Sequence, residues 1–218
     1  MEEKSIKILF YGDSITDAGW NREVNMGTLG SYGMGYVRSV AGTLMSRNPK
    51  RYTIINRGVG GDRVVDLYAR IKCDVWNHEP DVLSIMIGVN DVWHDIIRNN
   101  GVDIERYEKV YRMIIEDTVK RFPNIKIILC EPFVLKGWST KDNMQRFSEV
   151  WDYAKVVPKL AKEYNCFFLP LQCHLEKKAK EYGVDYYLQD GVHPNVAGAQ
   201  LIADKWVELF DKEIESLF

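Results

Sequence analysis

Apolar residues fall along this chain in two rhythms. Short, nearly continuous runs rich in Ile, Val and Leu occur at 6–11 (IKILFY), 52–56 (YTIIN), 81–88 (DVLSIMIG), 125–130 (IKIILC) and 166–171 (CFFLPL). Their length and unbroken apolarity predict strands covered on both faces, because a strand with one wet face would alternate. Between them, segments 34–47, 63–76, 104–121, 146–164 and 196–217 carry apolar positions at helical spacing. In the last of these, Val196, Ala199, Leu201, Ile202, Trp206, Leu209 and Phe210 keep a period of roughly 3.6 residues. Strand alternating with helix predicts a five-stranded parallel sheet with right-handed crossovers and helices on both faces, a three-layer α/β/α sandwich. In such a fold ligands gather beyond the carboxyl ends of the strands. A polar group just after a strand is therefore weighed for function, and one inside a helix is not.

Composition narrows the class. No Pro/Ser/Gly-rich linker, repeat or charge block divides the 218 residues, which predicts one domain over 1–218. With 46% hydrophobic and 28% charged residues the chain can bury a sizeable core. Its 29 basic and 31 acidic side chains are interspersed, for a net charge of -2. No Lys/Arg stripe is present to grip a phosphate backbone, so no nucleic-acid partner is expected. The opening MEEKSIKILFYG begins acidic and holds only a strand-length apolar run. That is unlike a secretory leader or a membrane span and predicts a cytoplasmic protein with no membrane attachment. Cys73, Cys130, Cys166 and Cys173 show no CxxC spacing and stand mostly among apolar neighbours. They are expected to be reduced core thiols, and Cys173 beside His174 lacks the further ligands a metal site needs.

Four groups follow predicted strands. After the first, GDSIT places Ser14 beyond a turn at Gly12 and Asp13, where the free N–H groups of a starting helix would face its hydroxyl. Asp13 is expected either to cap that helix or to contact substrate. After the second, NRGVGGDR (56–63) turns on three glycines. Arg63 stands where a dinucleotide fingerprint needs its third glycine, so the turn is read instead as presenting a backbone N–H, that of Gly61, to a substrate oxygen. After the third, GVNDVW (88–93) offers Asn90 as a neutral amide donor, with a turn or helix-cap role as the alternative. Near the end, LQDGVHPNVAG (188–198) sets Asp190 and His193 three residues apart in a loop stiffened by Pro194. A neutral imidazole oriented by a carboxylate can take a proton from a hydroxyl. Together these supply a nucleophile, a base, an orienting acid and oxyanion donors at one edge of one sheet. His78 and His174 are expected at the surface, and His94 beside Trp93 in the pocket lining.

The same four blocks, GDSIT, NRGVGGD, GVND and DGVHP, in this order over nearly the whole chain, resemble those of the SGNH, or GDSL, hydrolases. The resemblance implies a flavodoxin-like sandwich, a Ser-His-Asp mechanism through Ser14, His193 and Asp190, and an oxyanion hole from the Ser14 N–H, the Gly61 N–H and the Asn90 amide. It implies no metal or organic cofactor. GDSITDAG, GSYGMGYV, SIMIGVNDVW and EPFVL are further similar to intracellular acetylxylan esterases, which implies deacetylation of xylo-oligosaccharides. Gly60 departs from the family pattern, where many members carry Ser, and implies a looser turn. Segment 20–31 matches no family block.

The expected substrate is therefore a small acylated molecule, an acetylated oligosaccharide. Trp20, Trp93 and Trp138 lie in loops at the catalytic edge, and flat indoles suit sugar faces. The alternative, a lipase, thioesterase or lysophospholipase for longer acyl chains, needs an apolar channel, whereas these loops carry Arg22, Arg98, Lys136 and Lys141. A sugar-binding module without chemistry would not need Ser14, Asn90 and His193 together, and phosphate binding at the first turn would leave Asp190 and His193 unused. The aromatic stretch DYYLQD (185–190) is read as either a contact in a homo-oligomer or a brace for the catalytic loop.

Overall fold

The computed structural model describes residues 5–218. Strand β1 (Ile6–Gly12) runs into a one-turn helix, α1 (Ser14–Asp17), and a long loop leads to α2 (Tyr36–Arg47) and β2 (Tyr52–Gly58). Helix α3 (Val64–Asp74), β3 (Val82–Met86), α4 (Val89–Arg98), α5 (Ile104–Arg121) and β4 (Lys126–Cys130) follow. The chain ends with α6 (Met144–Phe147), α7 (Val150–Glu163), β5 (Phe167–Leu169), α8 (Gln172–Tyr182) and α9 (Val196–Glu213).

The five strands pair in parallel in the order β2-β1-β3-β4-β5. Each strand falls within two residues of the run that predicts it. The strand order reverses direction at β1, so the switch point opens beyond the carboxyl ends of β1 and its neighbours, where ligands bind in this architecture. Register sharpens the point. Gly12 pairs with both Gly58 and Met86, Met86 with Cys130, and Cys130 with Leu169. All five strands thus end on one row, and the residues just beyond it share one rim.

Both faces of the sheet are covered, as the continuous apolar runs require. Helices α2 and α9 pack together on one side, where Phe10 meets Tyr36 and Trp206 with ring centroids 5.6 and 5.0 Å apart. The buried Trp206 indole donates to Ser84 Oγ at 2.9 Å, which satisfies two polar groups inside that layer. On the other side α3, α5 and α7 pack in sequence, and the Tyr11 hydroxyl donates to the Leu67 carbonyl of α3.

Three sequence expectations change. Helix α4 occupies a stretch that reads only as a turn followed by a tryptophan and a histidine. The periodic segment 146–164 is divided into α6 and α7. Cys73 and Cys173 are exposed and Cys166 is half-buried, leaving Cys130 as the fully buried thiol of the four. Cys73 and Cys173 sit on amphipathic helices, where one residue in two faces water whatever its apolar neighbours.

Candidate active site

Ser14 opens α1 directly beyond β1. Asp13 is the N-cap: its Oδ1 accepts the Ile15 N–H at 3.0 Å, and its carbonyl accepts those of Thr16 and Asp17. The Ser14 N–H has no acceptor among the described residues and belongs to the ring of free amides that starts every helix. Asp13 is only 1% exposed, so the expectation of a substrate contact is corrected to that of a buried cap. Burial pushes its carboxyl up to about 7, against the lowering effects of the Ile15 N–H and the nearby His193.

The glycine turn after β2 is hydrogen-bonded almost amide by amide. The N–H of Gly58 donates to Asn56 Oδ1, Val59 to the Gly12 carbonyl, Gly60 to Asp17 Oδ2 and Asp62 to the Val59 carbonyl. Arg63 donates to Asp66 and Val64 to Asp91. Among the described residues only the Gly61 N–H of this stretch is left without an acceptor. Gly61 sits at φ +86°, a left-handed conformation that costs a residue with a Cβ about 1–2 kcal/mol. The bond from Gly60 to Asp17 ties the turn to α1.

Asn90 lies in the first turn of α4, 5% exposed, and its Nδ2 donates to the Asp62 carbonyl at 3.1 Å. That bond uses one of its two amide hydrogens and leaves the other to point elsewhere. The β1, β2 and β3 ends therefore each bring one donor to the shared rim.

Asp190 and His193 come from the loop between α8 and α9. Asp190 Oδ1 accepts the N–H groups of Val192 and His193 at 2.9 and 2.7 Å, while Oδ2 meets His193 Nδ1 at 2.6 Å. His193 Nε2 in turn meets Ser14 Oγ at 2.7 Å. Burial works to raise the Asp190 carboxyl, but the His193 ring and the two amides outweigh it and hold the group below its ordinary value. The bond to Asp190 raises His193 above its ordinary 6.5, against the lowering effect of burial.

Sequence reasoning missed what supports this loop. Segment 131–148 crosses it backbone to backbone: Leu135 N–H donates to the Gly191 carbonyl, Trp138 to Gln189 and Ser139 to Asp190. The fully buried Thr140 hydroxyl ties the segment's own turn by donating to the Leu135 carbonyl at 2.6 Å. The approach is close enough that a Cβ on Gly137 would lie 2.1 Å from the Gly191 nitrogen. The Gly-Trp-Ser-Thr turn at 137–140 is the only sequence signal of it. In the 185–190 stretch, Tyr186 is exposed, while the carbonyl of the buried Tyr187 accepts the Asn195 N–H and so braces the start of α9.

The tryptophans separate. Trp93 stands against the His193 ring, centroids 5.9 Å apart, and is backed by Phe147. Trp138 is 62% exposed on the supporting segment. Trp20 is buried, its indole N–H donates to the Gly58 carbonyl at 2.8 Å, and Arg22 and Arg57 lie over its ring. The expectation of a sugar platform at Trp20 is thus corrected to a pin under the glycine turn. His94, one helical turn after Asn90, has its ring 3.9 Å from where a Gly61 Cβ would be, and burial together with Arg98 and Arg63 lowers its pKa. His78 is half-buried and bonded by Arg57 rather than free at the surface. Among the described residues no group of three or more His, Cys, Asp or Glu is placed to hold a metal ion.

A serine-bearing turn, a glycine turn, an amide on α4 and a late Asp-His loop thus lie on one rim of a five-stranded parallel sheet. The chain belongs to the GDSL-like lipase/acylhydrolase family, whose pattern matches residues 10–201. An acetylxylan esterase from Geobacillus stearothermophilus is 37% identical over 203 residues, 90% of either chain. The solved structure of an acetylxylan esterase from that organism aligns with TM-score 0.84 at 34% identity over 98% of both chains. Catalytic mutants of that enzyme carry alanine in place of a serine or an aspartate. A candidate GDSL-like lipase from Parabacteroides merdae aligns with TM-score 0.89 at 38% identity, over 95% of this chain and 96% of the other. The present chain is a carboxylic ester hydrolase. Among the described residues no helix is long and apolar enough to cross a membrane.

Proposed function

We propose that the chain removes acetyl groups from xylo-oligosaccharides or related sugars through Ser14, His193 and Asp190. The observation that carries this reading is the unbroken hydrogen-bond chain from Ser14 Oγ through both His193 nitrogens to Asp190. His193 Nε2 takes the Ser14 proton as Oγ attacks the ester carbonyl. The resulting oxyanion is held by the N–H groups of Ser14 and Gly61 and by the free amide hydrogen of Asn90. As the tetrahedral intermediate collapses and the bond from the acyl carbon to the sugar oxygen breaks, the imidazolium protonates that oxygen to give the sugar hydroxyl. Water, deprotonated by His193, then repeats the attack on the acyl-enzyme, and acetate and free Ser14 result. Likeness to the Geobacillus acetylxylan esterase supports the acetyl and sugar assignment. Trp93 stands against the His193 ring, a placement that suits a small acyl group, and the exposed Trp138 indole offers a face for a sugar ring.

The test is an acyl series, acetyl, butyryl and octanoyl p-nitrophenyl esters, run beside acetate release from acetylated xylo-oligosaccharides. Two added methylenes forced into a packed pocket cost about 1–3 kcal/mol, so kcat/KM is expected to fall about 5- to 150-fold from acetyl to butyryl. Values rising toward octanoyl, at about 0.8 kcal/mol of favourable transfer per methylene, would instead mark a long-chain lipase or thioesterase.

A further inference from the structure

We propose that Arg70 on α3 is a positioning residue that sets the oxyanion donors against Ser14. The inference rests on the reading of Ser14 as nucleophile and adds a residue that acts only through others.

Arg70 lies largely buried beneath the ends of β1 and β2, its side chain 16% exposed and its guanidinium 4.4 Å from the Tyr11 ring centroid. Its Nη2 donates to the Gly12 carbonyl at 3.1 Å, and its Nη1 to the Arg57 carbonyl at 2.9 Å and to Asp74 Oδ2 at 2.8 Å. Its Nε donates to Asp62 Oδ2 at 2.6 Å. Gly12 is two residues before Ser14. Asp62 follows Gly61, and its carbonyl is the acceptor that orients the Asn90 amide. One guanidinium therefore grips the strand end that carries the first donor and, through the carboxylate of Asp62, the residue that follows the second donor and whose backbone carbonyl accepts from the third. Asp74, one turn along the same helix, fixes the guanidinium from behind. A planar fork with five N–H groups can hold these partners at once, whereas a lysine ammonium reaches only some of them. An oxyanion hole acts by being in place before charge develops, so a clamp on its spacing influences the transition state more than the bound ester.

The test compares wild type with Arg70→Ala, Arg70→Lys and Asp62→Asn. Active sites are counted by end-point labelling with a fluorophosphonate, with the labelled residue identified by peptide mass spectrometry. For each protein, kcat and KM are measured with p-nitrophenyl acetate. The inhibition constant of a small alkylboronic acid, which forms a tetrahedral adduct on a serine, is measured alongside. Per active site, Arg70→Ala is expected to lower kcat about 10²-fold, as loss of one oxyanion donor does, with little change in KM and a parallel weakening of the boronate. Arg70→Lys should recover part of the loss. Asp62→Asn, which keeps the turn but removes the charge from the Nε contact, should show the same pattern at about tenfold. If Arg70→Ala does not fold, the other two variants decide by the same criteria. Unchanged kcat per site, a loss confined to KM, or unchanged boronate binding overturns the proposal while leaving Ser14 in place. Absence of label on Ser14 in the wild type overturns the nucleophile reading, and this proposal with it.

Discussion

His193 carries the most directly readable residue-scale consequence. In the proposed mechanism it is the general base and must be neutral, and its bond to Asp190 raises its pKa above the ordinary 6.5. Activity should therefore be lost as pH falls, with the acid limb of kcat/KM centred above 6.5. Asp190→Asn removes the charge that raises the pKa and disturbs the tautomer that presents a basic Nε2 to Ser14. The limb should move to lower pH and kcat should drop by about 10² to 10⁴. A pH–rate profile of both proteins checks this, and a limb that stays put in the variant would remove Asp190 from the relay. Residue-scale features were unevenly legible in the sequence. Ser14 follows a strand directly and Asp190 and His193 stand in a loop before the last helix, where a polar group beside glycine has few structural reasons to be there. The burial of Asp13 and Trp20 was not legible, because their partners are an amide next to the cap and the Gly58 carbonyl across the rim.

Two elements depend on local geometry that can be perturbed singly. Helix α1 is capped by a carboxyl that burial raises from 3.8 to about 7. A carboxyl raised on folding contributes stability below its unfolded pKa and loses it as pH rises through the folded value. Asn caps a helix about as well as Asp and does not titrate. Asp13→Asn should therefore gain stability relative to wild type as pH rises from about 4 to 8, read as a widening difference in Tm, and parallel Tm curves would contradict it. The supporting segment is the second case. A methyl group on Gly137 would enter the Gly191 backbone, and overpacking of this kind costs about 1–3 kcal/mol. Gly137→Ala should lower kcat by more than about tenfold by shifting Asp190 and His193, with the sheet still cooperative in urea; unchanged kcat would show that the segment does not hold the loop. Element by element, strands buried on both faces were plain from their apolar runs. Helix α8 was legible as a helix-like stretch around Cys173 and His174 but not as one with a core face, since QCHLEKKAKEY is polar nearly all round and buries Leu175 alone. Helix α4 was masked because its first turn, GVND, has the composition of a loop.

At the scale of the whole molecule, the sheet turns scattered residues into one site. Gly12, Gly58 and Met86 align across three strands, so residues 14, 61 and 90 meet although long helices separate them in sequence. Alternation of strand and helix was enough to place them at one rim; their spacing within it depends on Asp17, Asp62 and the 131–148 segment, contacts between loops that leave no periodic trace. The proposed mechanism makes one central claim, that Ser14 is acylated during turnover. The direct measurement is rapid quenching of the enzyme with p-nitrophenyl acetate, followed by peptide mass spectrometry. An initial burst of p-nitrophenol with an acetyl group on the Ser14 peptide, both absent from Ser14→Ala, is the predicted result. Acetyl-ester hydrolysis by Ser14→Ala within about tenfold of wild type, or an acetyl group on another residue that turns over at the catalytic rate, would contradict it.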